Sequence, residues 1–356
     1  MRLSVLDLIP VRRGQTTAQA LRASRALVEA ADRLGYDRYW VAEHHNAASV
    51  ASTSPAVELM YLGQNTSRIR LGSGGVMLPN HSPLAVAEQF ALLAAAYGDR
   101  IDLGIGRAPG TDPVTSAAIR GQLRGGHMVD ASGRPTDPVE EFPTNIRDIL
   151  ALLGPEGAEI RLRHGRTYQL RATPVAEHAP ELWLLGSSDY SAELAATLGL
   201  PYVFAHHFSG RGTHRALDLY RGGFLPSGHA EAPRTFVTVN VSVAETADEA
   251  WELSEPHQYL MASLATRGSM DPQPHAGAEA RALLTDDLRA VVAPSVATWA
   301  VGDVDQVRDA LLRTAEDFGV DEIMVHLVAG ARETDDADTW PAKLRGLDLL
   351  AEALLD

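Results

Sequence analysis

Two rhythms alternate along most of the chain. Short runs rich in β-branched and aromatic residues, such as RLSVLDLI at 2–9 and DRYWVAEHH at 37–45, are each followed by segments whose apolar residues recur every three or four positions. The first such segment starts at Thr16 or Thr17, puts Leu27, Val28, Ala31 and Leu34 on one helical face and stops at Gly35. A later one opens with Ser82 as cap and Pro83 at the first helical position, and stops at Gly98. The pattern predicts strands at 2–9, 36–43, 68–78, 100–106, 181–187, 201–207, 235–243 and 321–328. Helices are predicted near 140–153, 190–198, 213–222 and 304–318, with a helical stretch interrupted by Gly and Pro at 246–290. Strands alternating with amphipathic helices imply a parallel sheet covered by helices. Eight such units suit a single TIM (β/α)8 barrel over residues 1–356, with an irregular insertion at about 108–180 after the fourth strand. A doubly wound sheet is the alternative, but the G-x-G-x-x-G turn expected after its first strand is missing.

Composition narrows the function more than the fold. The chain has 356 residues, 45% of them apolar, enough for a core that needs no staple. With no Cys, disulfides, thiolate zinc sites and Cys nucleophiles are excluded. A formal charge of −15 would repel a phosphate backbone, so nucleic acid is not an expected partner. No run of 18 apolar residues occurs, and residues 1–30 lack a signal-peptide pattern, so the expectation is no membrane partner and a cytoplasmic location.

In a parallel barrel, chemistry gathers at the C-terminal ends of the strands. The residues there are Asp7, Glu43-His44-His45, Gly74-Gly75, Arg107, Gly186-Ser187-Ser188 and His206-His207. In LGSSDYSAELAATLG a strand ends in Gly-Ser-Ser and a helix begins at once, so free backbone N–H groups and hydroxyls offer an anion site that Arg107 could complete. Plain N-capping by Ser188 or Asp189 is the alternative use of the same residues. The three glycines of GSGGVMLP mark a bulge or a close approach by a ligand, or else close strand–helix packing. A metal on EHH meets a geometric objection: consecutive strand residues point to opposite faces, so His44 and His45 do not easily share an ion, and no metal site is expected.

The run RIRLGSGGVMLPNHSPLAVAEQFALLAAAYGDRIDLGIGRAPGTDP at 68–113, with YDRYWVAEHH before it and WLLGSSDYSAELAATLGLPYVFAHHF at 183–208, resembles the bacterial luciferase-like flavin-dependent monooxygenases, in particular the subgroup carrying GRAPGTDP and LGSS. The resemblance implies a TIM barrel that binds FMN, usually reduced by a separate reductase, or in some relatives the deazaflavin F420. It implies that His44 is the catalytic histidine beside the flavin, that Gly74-Gly75 is a non-proline cis peptide under the ring, and that Arg107, Gly186, Ser187, Ser188 and Ser191 grip the phosphate. Glu43 is a candidate to orient His44, His206 and His207 could line the substrate side, and His45 is left to packing. The stretch at about 254–290 would be a mobile active-site loop, and the family often forms homodimers. Two departures stand out: the luciferases' reactive Cys is Gly106 here, and the second phosphate arginine has no clear counterpart, Arg120 being a candidate. The implied reaction places one atom of O2 into a small organic substrate. An F420-dependent hydride transfer on the same barrel is the nearest alternative. A non-catalytic flavin-binding protein, which would lack much of the barrel, and a metal-dependent hydrolase stand further off.

Overall fold

The computed structural model describes residues 1–122, 137–162 and 164–355; part of the predicted insertion, residues 123–136 and 163, therefore lies outside the described residues. In chain order its first half runs β1 (Arg2–Asp7), α1 (Thr17–Leu34), β2 (Arg38–Val41), α2 (Pro55–Leu62), β3 (Arg70–Ser73), β4 (Val76–Met77), α3 (Pro83–Tyr97), β5 (Ile101–Gly106), α4 (Pro113–Ile119), α5 (Phe142–Leu153), β6 (Ala158–Arg161) and β7 (Thr167–Leu170). The second half continues with β8 (Glu181–Gly186), α6 (Asp189–Leu198), β9 (Tyr202–Phe204), α7 (Thr213–Gly222), β10 (Thr235–Val243), α8 (Ala247–Arg267), α9 (Ala278–Leu283), α10 (Asp286–Val296), β11 (Ala300–Gly302), α11 (Val304–Phe318), β12 (Glu322–Leu327) and α12 (Pro341–Leu354).

Eight of the strands close a parallel barrel in the order β1-β2-β3-β5-β8-β9-β10-β12, and β12 returns to β1 with Val325 opposite Val5. The fold is the expected TIM barrel. Strand alternation splits each strand between two environments. Val5, Tyr39, Leu71, Val239 and Val325 face the helices and join the main apolar core. Leu6, Trp40, Trp183, Phe236 and Met324 point inward and fill the barrel. The aromatic rings there meet edge-on or tilted, with centroids 5.1–5.9 Å apart. Such packing leaves no room beside it: a Cβ on Gly72 would lie 2.7 Å from the Asp102 Cβ.

Below this aromatic layer, at the N-terminal end of the strands, the plug is ionic. Arg38 donates from Nε to Glu322 (2.9 Å) and from Nη1 to Asp102 (2.8 Å), and its guanidinium lies 4.8 Å from the Trp183 ring. Asp102 also accepts from Trp40 Nε1 and Arg70, while Glu322 accepts from Ser4 Oγ. Both carboxylates are buried.

Local signals explain the helix ends. Thr16 forms a capping box with Gln19, and Gly35 adopts the left-handed conformation that closes α1. Ser82 stands at the start of α3 without a capping hydrogen bond from its side chain, so Pro83 alone marks that start. Three expectations change in detail. The strand predicted at 68–78 is broken at Gly74-Gly75 into β3 and β4, the second pairing with β5. Within the insertion expected to be irregular, β6 and β7 pair antiparallel outside the barrel. The stretch 254–290 is mainly helical, as the interrupted pattern at 246–290 implied, in place of the expected loop: α8 extends to Arg267, and irregular backbone is limited to 268–277 between α8 and α9 and to 284–285 before α10.

Removing Arg38 takes the shared, fully buried cation from two buried carboxylates and leaves Asp102 to Arg70 and Glu322 to half-exposed Arg2. Arg38→Leu is expected to lower unfolding stability by about 3–5 kcal/mol, read from urea denaturation; a loss below about 1 kcal/mol would show that the plug is dispensable.

Candidate functional site at the barrel mouth

Four adjacent strands, β2, β3, β5 and β8, carry the expected site residues to one arc of the C-terminal rim. His44 follows β2. Its backbone N–H is fixed by the Ser52 carbonyl (2.8 Å), whereas its Nδ1 is buried with no hydrogen-bond partner. Burial pushes its pKa below the ordinary value of 6.5, against the pull of Glu43, so the ring is neutral at pH 7. Next along the rim, Gly74-Gly75 is joined by a cis peptide bond. A Cβ on Gly75 would lie 2.8 Å from the Gly104 carbonyl oxygen, so backbone alone fits there.

Arg107 leaves β5 and stacks over the Tyr190 ring at 4.2 Å, in the first turn of α6. Among the described residues its guanidinium has no carboxylate partner. Ser187 and Ser188 are exposed beside it, and Ser188, at the N-cap position of α6, makes no side-chain capping bond. The plain capping reading thus lacks its hydrogen bond, and the first N–H groups of the helix stay open to an anion. Gly186 is needed for the packing, because a Cβ there would sit 2.6 Å from that of buried Ser191. Asp189, in the same first turn, is drawn off by Arg215 (2.9 Å). Arg120 is already engaged, donating to Ser116 (2.6 Å) and Gln122 (3.0 Å).

Three other expected members do not join this arc. Asp7 is buried and accepts from Ser24 (2.5 Å), Tyr39 (2.6 Å) and the Ile9 N–H (2.9 Å), so it braces β1 against its neighbours. Glu43 does not touch His44. Its carboxylate instead accepts from His45 Nε2 (2.8 Å), His81 Nε2 (2.6 Å) and the Met77 N–H (3.0 Å), which hold it well ionised although it is buried. His45 is accordingly a hydrogen-bond partner of Glu43 and not mere packing. His206 turns toward the helix layer, with Nδ1 on Thr213 (2.8 Å) and its ring against Phe318.

His207 does face the mouth, and residues that the sequence reading passed over meet it there. Its ring is 6.0 Å from that of His326 on β12, which is 5.1 Å from His257 on α8. Asn240 on β10 donates from Nδ2 to the His207 carbonyl (2.9 Å), so its Oδ1 must accept from His326 Nδ1 (2.7 Å). That chain fixes the His326 tautomer and leaves Nε2 as a lone pair. Burial lowers His207 and His257 to about 3 and His326 well below 6.5, so this second arc is a wall of neutral imidazoles. The inward alternation of IMVHL on β12 was the available signal for His326; nothing local marked His257. Two clefts of about 930 and 600 Å3 lie elsewhere, on the outer faces of α6–α7 and α8–α10.

The comparisons show the family and the fold. The family model described as luciferase-like monooxygenase matches residues 1–322. The uncharacterised protein YvbT of Bacillus subtilis is 39% identical over 324 residues and the luciferase-like monooxygenase of Escherichia coli K12 is 37% identical over 323, each match covering 91% of this chain and 90% of the relative. The crystal structure of apo-MsnO8 superposes with a TM-score of 0.80 at 34% identity, over 99% of this chain and 98% of that one. Two more distant structures share the fold: an FMN complex of 3,6-diketocamphane monooxygenase from Pseudomonas putida (TM-score 0.70, 18% identity) and the F420-dependent tetrahydromethanopterin reductase of Methanopyrus kandleri (0.66, 16%), each match covering 99% of this chain and 98% of the other. The barrel is the scaffold of an oxidoreductase, and the chain belongs to the luciferase-like monooxygenase family.

The buried histidines make stability depend on pH. Their folded pKa values are depressed, so the stability they permit is present above the unfolded value near 6.5 and is lost as pH falls below it. His257→Gln should therefore flatten the acid limb, removing about 2 kcal/mol of the loss between pH 7 and pH 5; an unchanged slope in urea titrations at those two pH values would show that His257 is charged in the folded state.

Proposed function

We propose that this chain is an FMN-dependent monooxygenase that takes reduced FMN from a separate reductase and oxygenates a small organic substrate. What supports the reading is the contiguous arc of His44, Gly74-Gly75, Arg107 and the open start of α6 across four neighbouring strands. The residues fit the cofactor: an arginine without a carboxylate partner among the described residues and the uncapped N-terminus of a helix suit a phosphate, and side-chain-free backbone beside them suits a flat ring. Reduced FMN, when bound, supplies the two electrons with which one atom of O2 enters the substrate and the other leaves as water.

The protein's share is holding, shielding and proton handling. Arg107, Ser187, Ser188 and Ser191 would hold the phosphate, and Gly186 leaves the room that Ser191 needs. Gly74-Gly75 would form the floor for the ring. His44, neutral and with an unpartnered Nδ1, would take and return a proton at that atom. The wall of His207, His257 and His326 stands across the mouth, where an organic substrate would lie between it and the flavin. Because these imidazoles are neutral, the wall favours an uncharged substrate face over a cationic one. The reductase partner and a homodimer belong to the same proposal.

Anaerobic titration tests the cofactor. Reduced FMN is expected to bind saturably and more tightly than oxidised FMN or F420; tighter binding of F420 would transfer the reading to hydride transfer, and no binding of any of the three would overturn it. His44→Ala should lose about a hundredfold or more in turnover while flavin affinity stays within a few-fold. Loss of flavin binding in that variant would make His44 a binding residue instead.

A further inference from the structure

Glu43, His45 and His81 are left without a part in that scheme. Glu43 and His45 flank the catalytic candidate at the end of β2, while His81 comes from the turn between β4 and α3, 38 residues further on. Among the described residues, these three bring one ligand atom each within 4.8 Å of the others. Both imidazoles direct Nε2 at the same oxygen of Glu43, at 2.8 and 2.6 Å, and the second carboxylate oxygen is anchored by the Met77 N–H at 3.0 Å. The carboxylate is buried, with 1% of its side chain exposed, whereas His45 and His81 keep 18% and 28%. The cluster is thus rigid at its carboxylate and reachable at its imidazoles.

We propose that Glu43, His45 and His81 form a binding site for one divalent transition cation of the Zn2+ type. Two imidazoles and one carboxylate are a common three-ligand set for such an ion, with water completing the coordination. The anchored second oxygen of Glu43 supplies the outer hydrogen bond that orients a ligating carboxylate. Binding needs each imidazole to shift its hydrogen from Nε2 to Nδ1, so that Nε2 offers a lone pair. Around a tetrahedral ion with bonds of about 2.0–2.1 Å, ligand atoms stand about 3.3 Å apart. The two partly exposed histidines would therefore withdraw from the carboxylate by several tenths of an ångström. The ion would replace two hydrogen bonds and tie the end of β2 to the segment following Gly74-Gly75. The earlier objection, that His44 and His45 face opposite ways, does not apply, because the second imidazole comes from His81.

The test uses the full chain without an affinity tag, freed of metal and titrated calorimetrically with Zn2+, then with Co2+ under an absorption spectrometer. About one equivalent of Zn2+ should bind with a micromolar or lower Kd, and Co2+ should give the intense visible bands of a four-coordinate site. Glu43→Gln and His81→Ala should each weaken Zn2+ binding more than about tenfold, while replacement of exposed His214 should not. Circular dichroism melts identify any variant that fails to fold, and either of the two suffices. Absence of saturable binding, or binding that survives both substitutions, overturns the proposal, and neither result depends on flavin.

Discussion

The barrel is organised around one buried cation. Arg38 is held by Asp102 and Glu322 and stacked against Trp183, so that β2, β5 and β12, together with the inward face of β8, converge on a single guanidinium. The interior above it is filled by large rings that tolerate only Gly72 beside Trp40. With the lower end plugged by paired charges and the middle by aromatic packing, the C-terminal end remains as the place where the rim opens. Burying such a pair costs desolvation, and good geometry with extra hydrogen bonds from Ser4, Trp40 and Arg70 offsets it.

The rim divides by chemistry. One arc, from β2 to β8, offers a neutral histidine, bare backbone, an arginine without an ion pair among the described residues and an open helix start. The other, from β9 to β12, offers imidazoles kept neutral by burial and, at His326, locked in one tautomer by Asn240. A phosphate-bearing ring suits the first arc and an organic substrate the second. Membership of the luciferase-like monooxygenase family fits that division, and the chain's own residues supply the physical reason for it.

Much of this was legible in the sequence because the signals are local. The eight barrel strands stand where β-branched runs place them, and Thr16, Gly35 and Pro83 mark helix ends through their own backbone chemistry. The places of Arg107 after β5 and of Ser187-Ser188 between β8 and α6 were legible too, since strand ends are marked locally in the chain. The pairings that decide roles were not. Glu43 reads as a partner for its neighbour His44, yet its bonds run to His45 and to His81, 38 positions on. His326 meets Asn240 across 86 residues, and Arg38 meets Glu322 across 284. Closure of the barrel brings these residues together, and no periodicity or cap announces it. His206 and His207 show the limit most sharply: adjacent and identical, they divide between the helix layer and the mouth because β9 ends between two environments.

The central claim is that Arg107 and the open start of α6 recognise the phosphate of a flavin. Anaerobic titration with reduced FMN and reduced riboflavin, which differ only in that phosphate, measures this directly. The account predicts that wild-type protein binds reduced FMN at least about tenfold more tightly, and that Arg107→Ala brings the two affinities together. Equal affinities in the wild type, or a preference that survives loss of Arg107, would contradict it.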